Sequence, residues 1–305
     1  MTSETTLHFI TGLVLASTLS LLPAGCAQTL DTEAQSEPLI RGARWHHVHI
    51  NTTDSAAAEA YYSAHFNAAP EPFPGVDASV KSGDAWVFFN QVERAAPTDL
   101  VTPIWHIGWG APDPQAEFEK QKALGNNTTV PLTELVGGVT RYKPGEFYYM
   151  YVESPDGTLI ELNTAATDEF GHIHMYASDP FATGAWYGRY FGVRPETESA
   201  APSSDGSPPA FPRRSLNFDQ VNMIIYPERF ARSLAKNGLG GLQRTTGYVN
   251  DHIGVEVADL SAALKTFREE GVEILETESE LGNGVQHAFI LGPDNMVIEL
   301  LELEN

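Results

Sequence analysis

HVHINTTD (His47–Asp54), HIGWGAPD (His106–Asp113), HIHMYASD (His172–Asp179) and HIGVEVAD (His252–Asp259) are four copies of one phrase. Each places a histidine on an apolar strand and, seven residues on, an aspartate that opens a helix. A carboxylate at that point accepts a hydrogen bond from the first free amides of the helix, so Asp54, Asp113, Asp179 and Asp259 read as N-caps. Pro114 and Pro180 follow at the first helical position, where a missing N–H costs little. The helices expected are SAAAEAYYSAHF, AEFEKQKAL stopped by Gly125, FATGAWYGRYF stopped by Gly192, and LSAALKTFREE with Leu260, Leu264 and Phe267 on one stripe. A second phrase closes modules two and four: PDGTLIEL from Pro155 and PDNMVIEL from Pro293, each a turn followed by a strand carrying Glu161 or Glu299. Modules one and three end instead in the matched strands DAWVFFNQVER and DQVNMIIYPER.

The flanking segments read differently. An apolar run from Leu7 to Leu22 is too short and too broken for a comfortable membrane span, and residues 1–26 are expected to be an export signal. The run ends in LLPAGCAQ, which resembles the lipobox of bacterial lipoproteins and implies lipidation at Cys26. The expected location is periplasmic, or membrane-anchored through that lipid alone. Polar residues 27–43 read as a flexible linker, with folding expected from Trp45, and the Pro/Ser-rich stretch 195–214 as a surface insertion. Cys26 is the only cysteine, which excludes an intramolecular disulfide and a thiolate-cluster zinc site. A formal net charge of -22 repels phosphate backbones, so nucleic acid is not an expected partner.

Four units of strand, helix and about three further strands, spread over 305 residues, make an α+β protein whose sheets should curl into half-barrels. From residue 44 to 304 the chain resembles the vicinal oxygen chelate superfamily, which includes glyoxalase I, methylmalonyl-CoA epimerase, bleomycin and fosfomycin resistance proteins and extradiol dioxygenases. The resemblance implies four βαβββ modules paired into two glyoxalase-like half-barrel domains, with metal ligands on first and last strands. The simplest pairing joins neighbours into domains 44–166 and 170–305; relatives also pair modules across domains or subunits, which would mix the two ligand sets. Under neighbour pairing the resemblance proposes His47, His106 and Glu161 for the N-terminal half and His172, His252 and Glu299 for the C-terminal half.

Strand alternation adds to this. Residues two apart share a face, so His49 should enter the same cup as His47, and His174 the same cup as His172, as a further ligand, an acid–base group or a histidine supporting a ligand. Gly108 and Gly254 stand at the corresponding positions of modules two and four. Matching the two PD turns points Tyr149, Tyr151 and His287 inward, and His174, His287, Tyr151 and His49 are the candidate proton-moving residues. Two His and one Glu suit a divalent ion, Fe(II) preferred with Mn, Zn, Ni or Co as alternatives, holding two neighbouring oxygens of a small-molecule substrate.

Extradiol dioxygenases use that triad without a fourth ligand, and MYVESPDGTLIE resembles their signature, which favours a dioxygenase-type reaction. Glyoxalase I has four protein ligands, and here the last strands of modules one and three offer only Asn90, Gln91 or Asn222. Gln91 keeps a lyase or isomerase alternative open, since the epimerase has glutamine there. A third expectation is a non-catalytic binding or resistance protein with an aromatic cup including Trp186 and Tyr190. The oligomeric state stays open between monomer and homodimer, and chemistry is expected in the C-terminal cup, which has His287.

Overall fold

In the computed structural model the described residues are 37–134, 137–138, 147–195, 213–230 and 241–303. The export signal, Cys26 and most of the 195–214 insertion lie outside them. Among the described residues no helix is long and apolar enough to cross a membrane.

Module one comprises β1 (Arg44–Thr52), α1 (Ser55–His65), β2 (Ala69–Pro70), β3 (Ala78–Ser82) and β4 (Ala85–Gln91). Module two comprises β5 (Ile104–Ala111), α2 (Pro114–Ala123), β6 (Asn127–Glu134), β7 (Gly137–Gly138), β8 (Tyr148–Glu153) and β9 (Leu159–Thr164). Module three has β10 (Phe170–Ala177), α3 (Pro180–Phe191), β11 (Arg194–Pro195), β12 (Arg214–Phe218) and β13 (Val221–Pro227). Module four has β14 (Asn250–Glu256), α4 (Leu260–Glu269), β15 (Ile274–Gly282), β16 (Val285–Leu291) and β17 (Val297–Glu302). All four aspartates cap as expected: Asp54 accepts from the Ala57 amide, Asp113 from Ala116, Asp179 from Phe181 and Ala182, and Asp259 from Ala262.

The pairing of modules departs from the neighbour arrangement. One sheet runs β15-β16-β17-β14-β1-β4-β3-β2 and the other β11-β12-β13-β10-β5-β9-β8-β6-β7. Module one is therefore joined to module four through antiparallel β1 and β14, and module two to module three through β5 and β10. A division at about residue 168 cuts through both cups. Each sheet takes one module from each half of the chain, the outer two in one sheet and the middle two in the other, because the first strands of modules pair edge to edge, a choice that no pattern local to one module encodes.

Alternation sorts each first strand into two faces. Val48 and Ile50 of β1, and Ile173 and Met175 of β10, enter one shared apolar core beneath the helices. Where the two sheets meet, Trp45 stacks on Phe170 and contacts Phe218 edge-on, while Trp109 packs on Phe66 and Phe170. The Trp109 indole N–H donates to Ser82 Oγ at 3.1 Å, giving its polar end a partner inside this core. The fold also starts earlier than Trp45. The amides of Leu39 and Ile40 donate to the carbonyls of Arg189 and Tyr190, and Ile40 is buried, so the last part of the expected linker is docked.

Candidate metal centres

The cup faces of the first strands carry the histidines, and strand register assembles them. In the β1–β14 pair His49 stands opposite His252 and His47 opposite Gly254; in the β10–β5 pair His174 stands opposite His106 and His172 opposite Gly108. The last strands then bring Glu299 beside Gly254 and Glu161 beside Gly108. Two clusters result: His47, His252 and Glu299, all buried, with half-buried His49 in cup 1, and the fully buried set His106, His172, His174 and Glu161 in cup 2. The groupings expected from neighbour pairing are thus exchanged: His47 joins His252 and Glu299, and His172 joins His106 and Glu161. All six candidate ligands fall within the two clusters, and His49 and His174 are the fourth member of each set.

The glycines make room for this. A Cβ on Gly108 would lie 2.0 Å from His172 Nε2, and one on Gly254 would lie 2.0 Å from His47 Cε1. Any side chain there would occupy the space of a candidate ligand ring.

In cup 2, His106 Nε2 lies 3.0 Å from Glu161 Oε2, His174 Nδ1 3.8 Å from the same oxygen, and His172 Nε2 3.8 Å from Oε1. In cup 1, Glu299 Oε2 lies 3.1 Å from His47 Nε2 and 3.2 Å from His252 Nε2, and His49 Nδ1 is 2.9 Å from His252 Nε2. Ligands ~2.1 Å from a common ion stand ~3–4 Å apart, so these separations match a shared centre. Hydrogen bonding does not account for the cup 2 set. His106 Nε2, His172 Nε2 and both ring nitrogens of His174 are buried with no hydrogen-bond partner among the described residues, although the carboxylate is close. One donor atom from each residue lies within 4.8 Å of the others, and such a partnerless set fits a divalent ion held by His106, His172, His174 and Glu161.

In cup 2 the electrostatics give the same donor chemistry. Burial opposes ionisation of Glu161, but His174, His106 and His172 outweigh it and hold the carboxyl well below its usual range. Burial lowers His172 to about 4 and, with His106 beside it, lowers His174 as well. Neutral imidazoles with an ionised carboxylate are the metal-binding forms. In cup 1 burial and neighbouring histidines lower His47 and His49, and Glu299 is held well below its usual range against burial by His252, His287 and His47. His252 is raised to about 9 because Asp251 and Glu299 overcome its burial.

The inward residues beyond the ligands hold the carboxylates. Tyr151 O–H donates to Glu161 Oε2 at 2.5 Å and Asn163 Nδ2 to Oε1 at 2.8 Å. His287 Nδ1 lies 2.5 Å from Glu299 Oε1. His287 thus serves cup 1, whose strands come from both ends of the chain. Burial and the adjacent Glu161 push the Tyr151 phenol far above its ordinary value, so it acts as a donor. Gln91 is not in a cup: its amide oxygen accepts from the Ser55 amide and hydroxyl, and its amide nitrogen donates to the Thr53 carbonyl. Trp186 and Tyr190 are elsewhere too, packed against Phe267 between α3 and α4.

A cavity of about 750 Å³ opens over the cup 2 cluster. Glu161, His172 and His174 form its polar floor, Trp105, Tyr149, Tyr226 and Phe230 its aromatic wall, and Arg213 its cationic side. Arg213 has no carboxylate within ion-pair distance among the described residues. Sequence reasoning missed it, since it stands at the edge of the insertion and only folding brings it to the cup.

No family model matches the sequence, and no curated protein matches it. Among solved structures, glyoxalase I from Zea mays is similar over 85% of this chain and 92% of that one, at 16% identity and a TM-score of 0.62. A single-site variant of that enzyme reaches a TM-score of 0.63 over the same shares. A candidate dioxygenase from Bacillus subtilis aligns over 85% of this chain and 84% of that one, at 11% identity and a TM-score of 0.55. The chain has the vicinal oxygen chelate fold. At these identities the likeness is one of architecture, and the chemistry rests on the two clusters themselves.

Proposed function

We propose that cup 2 is the catalytic centre of a divalent-metal enzyme acting on a small molecule with two neighbouring oxygens. The carrying observation is the cavity of about 750 Å³ that ends on His172, His174 and Glu161. A bound divalent ion would polarise a substrate carbonyl and acidify the C–H beside it. The residues set the rest. His106, His172, His174 and Glu161 would hold that ion, one ligand more than the two-His, one-Glu set of the oxygenase reading, so proton-transfer chemistry of the lyase or isomerase kind is preferred to the dioxygenase reaction. Tyr151 and Asn163 donate to the two oxygens of Glu161 and hold it in place as a ligand. Trp105, Tyr226 and Phe230 hold an apolar substrate body, and Arg213 pairs with an anionic group on it.

The dioxygenase reading keeps one support, the Tyr151–Glu161 contact inside the stretch that resembles the extradiol signature. The test is metal analysis of the purified protein followed by turnover of anionic α-hydroxycarbonyl compounds and catechols, with and without O₂. Anaerobic isomerisation or C–H exchange of an α-hydroxycarbonyl with Mn, Co, Ni or Zn is the expected result. Catechol cleavage with matching O₂ uptake on iron would overturn it in favour of oxygenation.

A further inference from the structure

The two cups share their ligands but differ in their filling. A bulge between Trp45 and His47 puts His46 on the cup side of β1, where its Nδ1 lies 2.9 Å from His47 Nδ1. The matching bulge in β10 falls between Phe170 and His172, at Gly171. On the neighbouring strands Trp86 and Phe88 stand beside His47 and His49, and Asn222 and Ile224 beside His172 and His174. Gly171, Asn222 and Ile224 all line the open cavity of cup 2. Their counterparts His46, Trp86 and Phe88 fill cup 1, with Phe88 stacked on His47 at 4.2 Å between ring centres.

Phe73 completes the filling, 4.7 Å from Phe88, 5.1 Å from His46 and 5.2 Å from Trp86. It comes from the segment between β2 and β3, at one edge of the eight-stranded sheet. Two residues later that segment reaches the opposite edge: a Cβ on Gly75 would lie 2.1 Å from the Leu281 carbonyl oxygen, and one on Gly282 3.0 Å from the Gly75 amide nitrogen. Gly75, at φ +75°, permits this closure. The strap ties the two edges of the curled sheet together across cup 1.

The outer contacts of the ligands differ as well. His46 supports His47, Asp251 Oδ1 lies 2.7 Å from His252 Nδ1, and His287 holds Glu299. Asp251 is itself fixed by Asn51 Nδ2 and the Gly247 amide. In cup 2 the residue before the strand histidine is Trp105, and His106 Nδ1 is buried with no hydrogen-bond partner among the described residues.

We infer that cup 1 is a second metal site with a structural role, in which His47, His49, His252 and Glu299 hold a zinc-class ion beneath the Phe73–Gly75 strap. What separates this set from that of cup 2 is its cover, with Phe88 stacked on His47 and the strap where cup 2 has an open cavity, and an imidazole backed by a carboxylate, as His252 is by Asp251, binds a metal more tightly than an unbacked one. The inference does not depend on the reaction assigned to cup 2. The test loads the full chain with Zn(II), counts ions per chain, and follows release to a chromophoric chelator. Two ions leaving in two phases are expected, the slower by roughly tenfold or more, the scale on which outer contacts alter metal binding. Glu161→Gln should remove the fast phase; Glu299→Gln should remove the slow phase and lower Tm. Phe73→Ala should keep two ions and speed only the slow phase. A single ion that is lost in Glu161→Gln, a slow phase that Phe73→Ala leaves unchanged, or a Glu299→Gln protein melting at the wild-type temperature would each overturn the inference. Should Glu299→Gln not fold, the Phe73→Ala rates still decide. A slow ion without a fast one would uphold this site while removing the support for catalysis in cup 2.

Discussion

Gly108→Ala is the smallest change that should abolish one metal site and spare the other. The new methyl would stand 2.0 Å from His172 Nε2, 2.1 Å from His172 Cε1 and 2.5 Å from the Glu161 carbonyl oxygen. Ordinary contact begins near 3.4 Å, so the imidazole must retreat by ~1.4 Å, whereas metal–ligand distances tolerate only ~0.2 Å. The ring cannot both clear the methyl and keep its place beside Glu161. We expect cup 2 to lose ~100-fold or more in metal affinity, and the fold to lose ~1–3 kcal/mol through overpacking. Metal content after dialysis against graded chelator, with thermal melting on the same samples, measures both. Gly254→Ala is the mirror control, because its methyl would meet His47 and should empty cup 1 alone. A folded Gly108→Ala protein that keeps wild-type affinity at both sites would refute the clearance role of the glycine and, with it, His172 as a ligand.

Other changes probe single contacts. Asp251→Asn removes the carboxylate behind His252 and should weaken metal retention in cup 1 by ~10–100-fold, read by chelator competition. Tyr151→Phe deletes the donor to Glu161 Oε2 and should cut turnover in cup 2 by ~10–100-fold while the cup 1 ion stays bound, measured by kinetics and metal content on one preparation. Arg213→Met should raise KM for an anionic substrate with kcat little changed, and should leave a neutral analogue unaffected. Trp109→Ala opens a cavity where the two sheets meet and removes one of the three hydrogen bonds at Ser82 Oγ; a loss of ~3–5 kcal/mol in denaturant unfolding is expected, with both ions still bound in the protein that remains folded.

Much of the local design was legible. The four aspartates cap helices because a short carboxylate before an apolar helix has few better uses, and both PD turns precede strands that carry a ligand glutamate. Alternation placed His49 and His174 in the cups as further ligands, acid–base groups or supporting histidines, and the structure groups each with the candidate ligands, whereas Gln91, which had kept the lyase alternative open, is outside both cups. Gln91 instead caps the start of α1, a use that its place in the sequence gives no sign of. Trp186 and Tyr190 carry the composition of an aromatic pocket yet pack between two helices, since composition does not say which face of an element meets a cavity.

What the sequence determined by itself is each module: its elements, its caps, the face each histidine takes, and the residue types of two candidate metal centres. What only tertiary structure decided is which modules share a cup. Modules two and four both offer a histidine, a clearing glycine two residues on and a glutamate six residues after the proline of a PD turn, so either could complete module one, and the local code is degenerate between them. Strand pairing over some two hundred positions, between His49 and His252, breaks that degeneracy. The same pairing decided the contrast between the cups. His46, Trp86 and Phe88 against Gly171, Asn222 and Ile224 are scattered substitutions along the chain, and they become a filled cup and an open one only when the strands that carry them lie side by side.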